Sequence, residues 1–61
     1  MNNIFFTKND RVRHKNVEMD KVYGIMEIFE IKNDQAICRY GDYSNFGMVT
    51  FPFKDLKKAE N

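Results

Sequence analysis

The chain has 61 residues, room for one domain and no more, and its single cysteine, Cys38, excludes an intrachain disulfide staple and suits a reducing cytoplasm. Ten Lys and Arg against nine Asp and Glu leave a net charge of +1, which weighs against a dedicated high-affinity nucleic-acid binder. No apolar run approaches the ~20 residues of a membrane span, and Met1–Thr7 lacks the basic segment and long apolar core of a secretory leader, so a soluble cytoplasmic protein is expected.

Met1–Thr7 carries Ile4, Phe5 and Phe6, more bulk than a disordered tail usually holds, and Phe6 is expected to pack onto the domain. Lys8-Asn9-Asp10 reads as a turn, because Asn tolerates positive φ and Asp accepts backbone hydrogen bonds. Arg11–Lys15 alternates as a short first strand, with Val12 and His14 on one face and His14 partly exposed at the strand end. Asn16–Lys21 offers only Val17 and Met19 as apolar residues, shows no strong helical period, and reads as a long loop. Val22–Ile31 reads as the longest strand, with Val22, Gly24, Met26 and Ile28 on one face. Gly24 fits a bend or a close backbone approach there. The apolar phase then slips to Ile31, and one extra residue near Phe29–Glu30 restores it; that is a β-bulge, which also adds the twist a short barrel needs.

The apolar runs Tyr23–Ile31 and Ala36–Tyr40 flank Lys32-Asn33-Asp34-Gln35, the arrangement of a β-hairpin. Without Asn-Gly at its centre, this turn leaves room for a loop longer than two residues. Ala36, Cys38 and Tyr40 point one way, Ile37 and Arg39 the other. Gly41–Gly47 is a loop by composition, Met48–Phe51 a fourth strand, and Pro52 its end. Phe53–Leu56 forms a single helical turn that folds Leu56 inward, Lys57–Ala59 adds a short last strand, and Glu60-Asn61 frays.

The expected fold is all-β: a small five-stranded SH3-like barrel with a short helical turn before the last strand. It is one domain over residues 1–61 with 6–59 as its core and termini partly frayed; an OB-type barrel is the alternative but usually takes a longer chain. The expected core is Phe6, Val12, Met26, Ile28, Ile31, Ala36, Cys38, Phe51 and Leu56, with Tyr40 partly buried.

Asn9-Asp10-Arg11-Val12-Arg13-His14-Lys15 is similar to the Gly-Asp-x-Val-x-x-Lys opening of many SH3-like modules, with Asn9 in place of Gly. Met26-x-Ile28-x-x-Ile31, Ala36-x-Cys38-x-Tyr40 and Phe51-Pro52 before Leu56 resemble the YodC-like family of small uncharacterised bacterial proteins. That family's pattern reads Met-x-Val-x-x-Ile, Val-x-Cys-x-Trp-Phe and Phe-Pro before a Leu. Tyr40 stands at the Trp position, and Gly41 follows where Phe is common. The resemblance spans roughly Phe6–Leu56, implies the SH3-like fold, and supplies no catalytic residues.

Cys38 and His14 raise a nucleophile–base pair or two metal ligands, but no orienting acid or oxyanion hole is signalled, and a structural zinc site needs four ligands. Cys38 alternates with Ala36 and Tyr40 as a core thiol would. No catalytic residue, metal ligand or cofactor is expected. Charge is uneven: Lys8, Arg11, Arg13 and Lys15 against Asp10 give +3 over residues 8–15, and Glu18, Asp20, Glu27 and Glu30 against Lys21 give −3 over 16–30. The plain reading is loosely paired solvated faces. Phe and Tyr make up 15% of the chain, more than so small a barrel buries, and Tyr23, Phe29, Tyr43 and Phe46 fall off the inward face or in loops. They either cap the barrel ends, form a homodimer seam, or offer rigid contact area to a partner. Arg13 and Arg39 beside Tyr23 on the outer face would hold a phosphate near a stacked base. The expected function is a non-enzymatic binding module that docks a protein segment or its own copy through Tyr23, Tyr43, Phe46, Arg13 and Arg39. The alternative is a weak nucleic-acid binder using Lys8, Arg11, Arg13, Lys15 and Arg39.

Overall fold

Five antiparallel strands form one sheet in the order β4-β3-β2-β1-β5. They are β1 (Arg11–His14), β2 (Met26–Lys32), β3 (Gln35–Gly41), β4 (Phe46–Pro52) and β5 (Leu56–Lys58). A helix α1 (Val17–Tyr23) joins β1 to β2, and a 3-10 turn (Phe53–Asp55) joins β4 to β5. The computed structural model describes residues 6–59; the expectations for Ile4 and Phe5 and for the fraying of Glu60-Asn61 lie outside them.

The turn before β1 forms as its residues dictate. Asn9 takes φ 79°, and Asp10 Oδ2 accepts the Thr7 N–H at 2.9 Å and a proton of Lys58 Nζ at 3.0 Å. The bulge is present in β2: the register passes from Ile28↔Cys38 to Glu30↔Ile37, leaving Phe29 unpaired. That slip keeps both Ile28 and Ile31 on the side of Cys38 and Ala36. The β2–β3 turn is the short kind. Lys32 pairs with Gln35, so only Asn33-Asp34 turn the chain, and Asn33 takes φ 54°, which Asn tolerates better than most residues. The β3–β4 ladder runs unbroken from Gln35↔Pro52 to Gly41↔Phe46. The loop expected over residues 41–47 therefore shrinks to 42–45, closed by Asp42 N–H to Asn45 O at 3.0 Å and Asn45 N–H to Asp42 O at 3.3 Å.

Phe6, Val12, Met26, Ile28, Ala36, Cys38, Phe51 and Leu56 are the buried apolar core, as expected. Ile31, expected among them, is only half-buried because it faces inward at the hairpin end of the sheet, opposite Ala36. Tyr40 is half-buried against the core. His14 departs from its expectation. It is 8% exposed, since the alternation that buries Val12 also buries it, opposite Leu56. Its ring stands edge-on to Phe51 at 4.6 Å, and Nδ1 accepts the Asn16 N–H at 2.9 Å.

Residues Asn16–Lys21 are not a loop. Asn16 Oδ1 accepts the Glu18 and Met19 N–H groups at 2.9 and 3.1 Å, an N-cap that satisfies two orphan donors. Glu18 and Asp20 sit in the first turn and Lys21 in the last, as the helix dipole favours. Gly24 ends the helix at φ 68°, its N–H bonded to Asp20 O at 2.7 Å. Met19 and Tyr23, four residues apart, pack against the core. Val22 and Gly24 thus belong to a helix and its cap, Val22 is exposed, and the strand begins at Met26.

Candidate protein-docking face

The side of the sheet opposite the core is built by alternation. Arg11 in β1 pairs with Glu27 in β2, Glu27 with Arg39 in β3, and Arg39 with Met48 in β4, so these four form one row across the outer face. Phe46, two residues before Met48, emerges on the same side. The Arg39 guanidinium carbon lies 5.5 Å from the Phe46 ring centroid, and Arg39 Nη2 lies 3.8 Å from Glu27 Oε1. A cation over an aromatic face and a loose, half-exposed ion pair are each weak contacts. Phe29, turned out by the bulge, lines an open groove with Asn9, Glu27 and Arg39.

The result is an exposed apolar surface around one arginine. Phe29, Phe46 and Met48 are 54%, 56% and 43% exposed, and Tyr43 in the adjoining loop is 95% exposed. Exposed apolar side chains clustered on one face and rimmed by polar residues are a mark of interaction surfaces.

The expected site residues divide. Arg39 and Phe46 are in contact, and Tyr43 lies three residues from Phe46 in the β3–β4 loop. Arg13 and Tyr23 are elsewhere. Arg13 Nε donates to Asp20 Oδ1 at 3.0 Å and ties β1 to α1. Tyr23 stands edge-on to Tyr40 at 4.7 Å and to Phe51 at 5.5 Å, packing α1 onto the sheet. The phosphate-holding cluster of Arg13, Tyr23 and Arg39 does not form, because Tyr23 ends a helix instead of lying in β2. Phe29, one of the surplus aromatics, and Met48, which was not singled out, join the face. Their signal is readable: Phe46, Met48 and Thr50 alternate with buried Phe51, and a bulge residue opposes nothing.

The two oppositely charged segments meet within one molecule through Arg13 and Asp20. Arg39 and Lys58 also face carboxylates, those of Glu27 and Asp10. The Thr7 backbone N–H and then the Lys58 ammonium hold the Asp10 carboxyl below its ordinary value. Cys38 is buried with Sγ 3.7 Å from Ala36 O, and burial pushes its thiol up to about 11. A thiol held protonated is a poor nucleophile. Among the described residues no group of three or more His, Cys, Asp or Glu is placed to hold a metal ion. No helix among them is long and apolar enough to cross a membrane. No family model, curated protein or solved structure matches the chain.

Proposed function

We propose that the chain is a non-enzymatic binding module of the cytoplasm, a small SH3-like barrel of the YodC-like kind, whose outer β2–β3–β4 face docks a protein chain. The observation that carries this is the exposed set Phe29, Phe46 and Met48 around Arg39, with Tyr43 beside it. Rigid aromatics and an arginine that is only loosely paired are what protein interfaces enrich. The barrel reading draws support from the strand order, from the bulge in β2, and from the 3-10 turn between β4 and β5. The family reading draws support from the burial of Met26, Ile28, Ala36, Cys38, Phe51 and Leu56, among the positions that carry the resemblance; Ile31, Tyr40 and Pro52, which also carry it, are half-buried. The nucleic-acid alternative loses Arg13, whose guanidinium is held by Asp20 at 3.0 Å.

The test is peptide-library panning on the wild-type protein and on a Tyr43→Ala/Phe46→Ala double variant whose circular dichroism matches wild type. Enrichment, or self-association, that the double variant loses supports the docking face. Enrichment that the double variant keeps overturns it. Binding of a mixed short single-stranded RNA and DNA pool that falls steeply with salt would replace it with the nucleic-acid reading.

A further inference from the structure

Among the described residues the sheet has two edges, β4 and β5, and they are unlike each other. β5 is three residues long and carries Lys57 and Lys58. β4 is seven residues long, Phe46-Gly47-Met48-Val49-Thr50-Phe51-Pro52, and carries no charge. Its register against β3 has no bulge. Edge strands are normally blunted by Lys, Pro, bulges or brevity, because their free N–H and C=O groups template further pairing. β5 has two such guards. β4 has only Pro52 at its last position, while Phe46 and Met48 stand exposed beside it.

We infer that β4 is the seam of a homodimer, in which a second copy lays its β4 antiparallel against the first across a two-fold axis. This rests on the docking-face reading and names its occupant. A two-fold axis at Met48 sets Met48 against Met48 of the second copy, Phe46 against Thr50, and Gly47 against Val49, so one apolar surface continues across the seam. Electrostatics favours this edge over the other. β4 itself carries no charge, and the two Arg39 residues lie one strand in on each side. Their backbones stand three strand spacings apart, roughly 14 Å, and no like charges face each other directly across the seam. The same operation on β5 would set Lys57 against Lys57, and like charges directly opposite repel. One paired edge with two exposed apolar side chains falls short of the roughly 1,200–2,000 Å² of a standard stable interface. The dimer is therefore concentration-dependent, with dissociation in the micromolar range or weaker.

Sedimentation equilibrium from about 5 µM to about 1 mM tests this, a span that brackets such affinities. Wild type shifts from monomer to dimer mass. Met48→Glu stays monomeric with unchanged thermal unfolding, because the new carboxylate lies opposite Arg39 in its own sheet but against its twin across the axis. Met48→Lys is likewise monomeric, and an equimolar mixture of the two variants dimerises again. Val22→Lys, on the exposed side of α1, behaves as wild type. A wild type that stays monomeric throughout, a Met48→Glu variant that still dimerises, a charge-swapped mixture that stays monomeric, or masses beyond the dimer each overturn the β4 seam. A monomeric wild type that still enriches peptides through Tyr43 and Phe46 keeps the docking face and discards only the homodimer.

Discussion

The ring of Tyr40 lies across Gly47 on the neighbouring strand, so close that a Cβ at Gly47 would stand 2.5 Å from Tyr40 Oη and 2.6 Å from Cζ. The two residues are register partners in the β3–β4 ladder. An aromatic that covers a cross-strand glycine replaces the packing that the glycine cannot supply. Here it also presents its ring to Tyr23, edge-on at 4.7 Å, so the bare backbone at Gly47 helps seat helix α1 on the sheet. Gly47→Ala is expected to displace Tyr40 and to destabilise the protein by about 1–3 kcal/mol, the usual range for overpacking. In a Tyr40→Ala background the same change should cost far less. Urea unfolding of the four proteins gives the coupling; equal costs in both backgrounds would mean the contact is not what fixes Gly47.

How much was legible follows from how local each signal is. The bulge was readable because a period-2 phase slip between Ile28 and Ile31 lies within a few residues. The core was readable because alternation fixes a face once one member is known, and the same rule buries His14, whose place at the strand end had argued for partial exposure. Helix α1 was missed because seven residues give only one i, i+4 apolar pair, Met19 and Tyr23, and because Tyr23 and Gly24 also fit a strand. The signals were there: Asn16 as a cap, acids in the first turn, glycine past the end. Exposure of Tyr43 followed from loop composition; Phe46 lies in β4, and its exposure follows from the alternation of that strand. The Arg39–Phe46 contact did not, because it depends on a β3–β4 loop of residues 42–45, and register is invisible until loop length is known.

The cap is the cheapest part of the helix to test. Asn16 bonds two of the first N–H groups of α1. Asn16→Ala should cost about 1 kcal/mol, and Asn16→Asp should cost little. Amide exchange should quicken first at Glu18 and Met19, the two donors that lose their acceptor. A loss confined to other parts of the sheet would show that the cap does not hold α1.

Acid should loosen the junction between the entry turn and β5. The folded Asp10 carboxyl sits below its ordinary value of 3.8, first through the Thr7 N–H and then through Lys58. A depressed carboxylate contributes stability that is present above the unfolded value and lost as pH falls through the folded one. The contribution therefore fades below about pH 4. The group is largely solvent-screened, so the effect should stay under about 1 kcal/mol. Asp10→Asn should be slightly less stable than wild type at pH 7 and equal to it near pH 2 in urea unfolding. A gap that persists at low pH would assign the loss to packing instead.

Base should act through Cys38 with the opposite sign. In the unfolded chain its thiol ionises near the ordinary 9.0, while in the folded protein burial holds the proton to about 11. Between those values the unfolded state binds fewer protons, so stability falls as pH rises. Two pH units correspond to about 2–3 kcal/mol at most. Lysines and tyrosines titrate in the same window, so the useful quantity is the difference between wild type and Cys38→Ala. At pH 7 the variant should be less stable by about 1–2 kcal/mol, through the small cavity it leaves beside Ala36 and Ile28. As pH rises past 9 that deficit should shrink and then reverse, because the variant has no thiol to ionise on unfolding. The same burial predicts that a disulfide reagent reacts slowly with the native protein at pH 8 and at once in denaturant. A deficit that stays constant from pH 7 to about pH 11, or fast native labelling, would place Cys38 in contact with water and remove it from the core that Met26, Ile28 and Leu56 share with it.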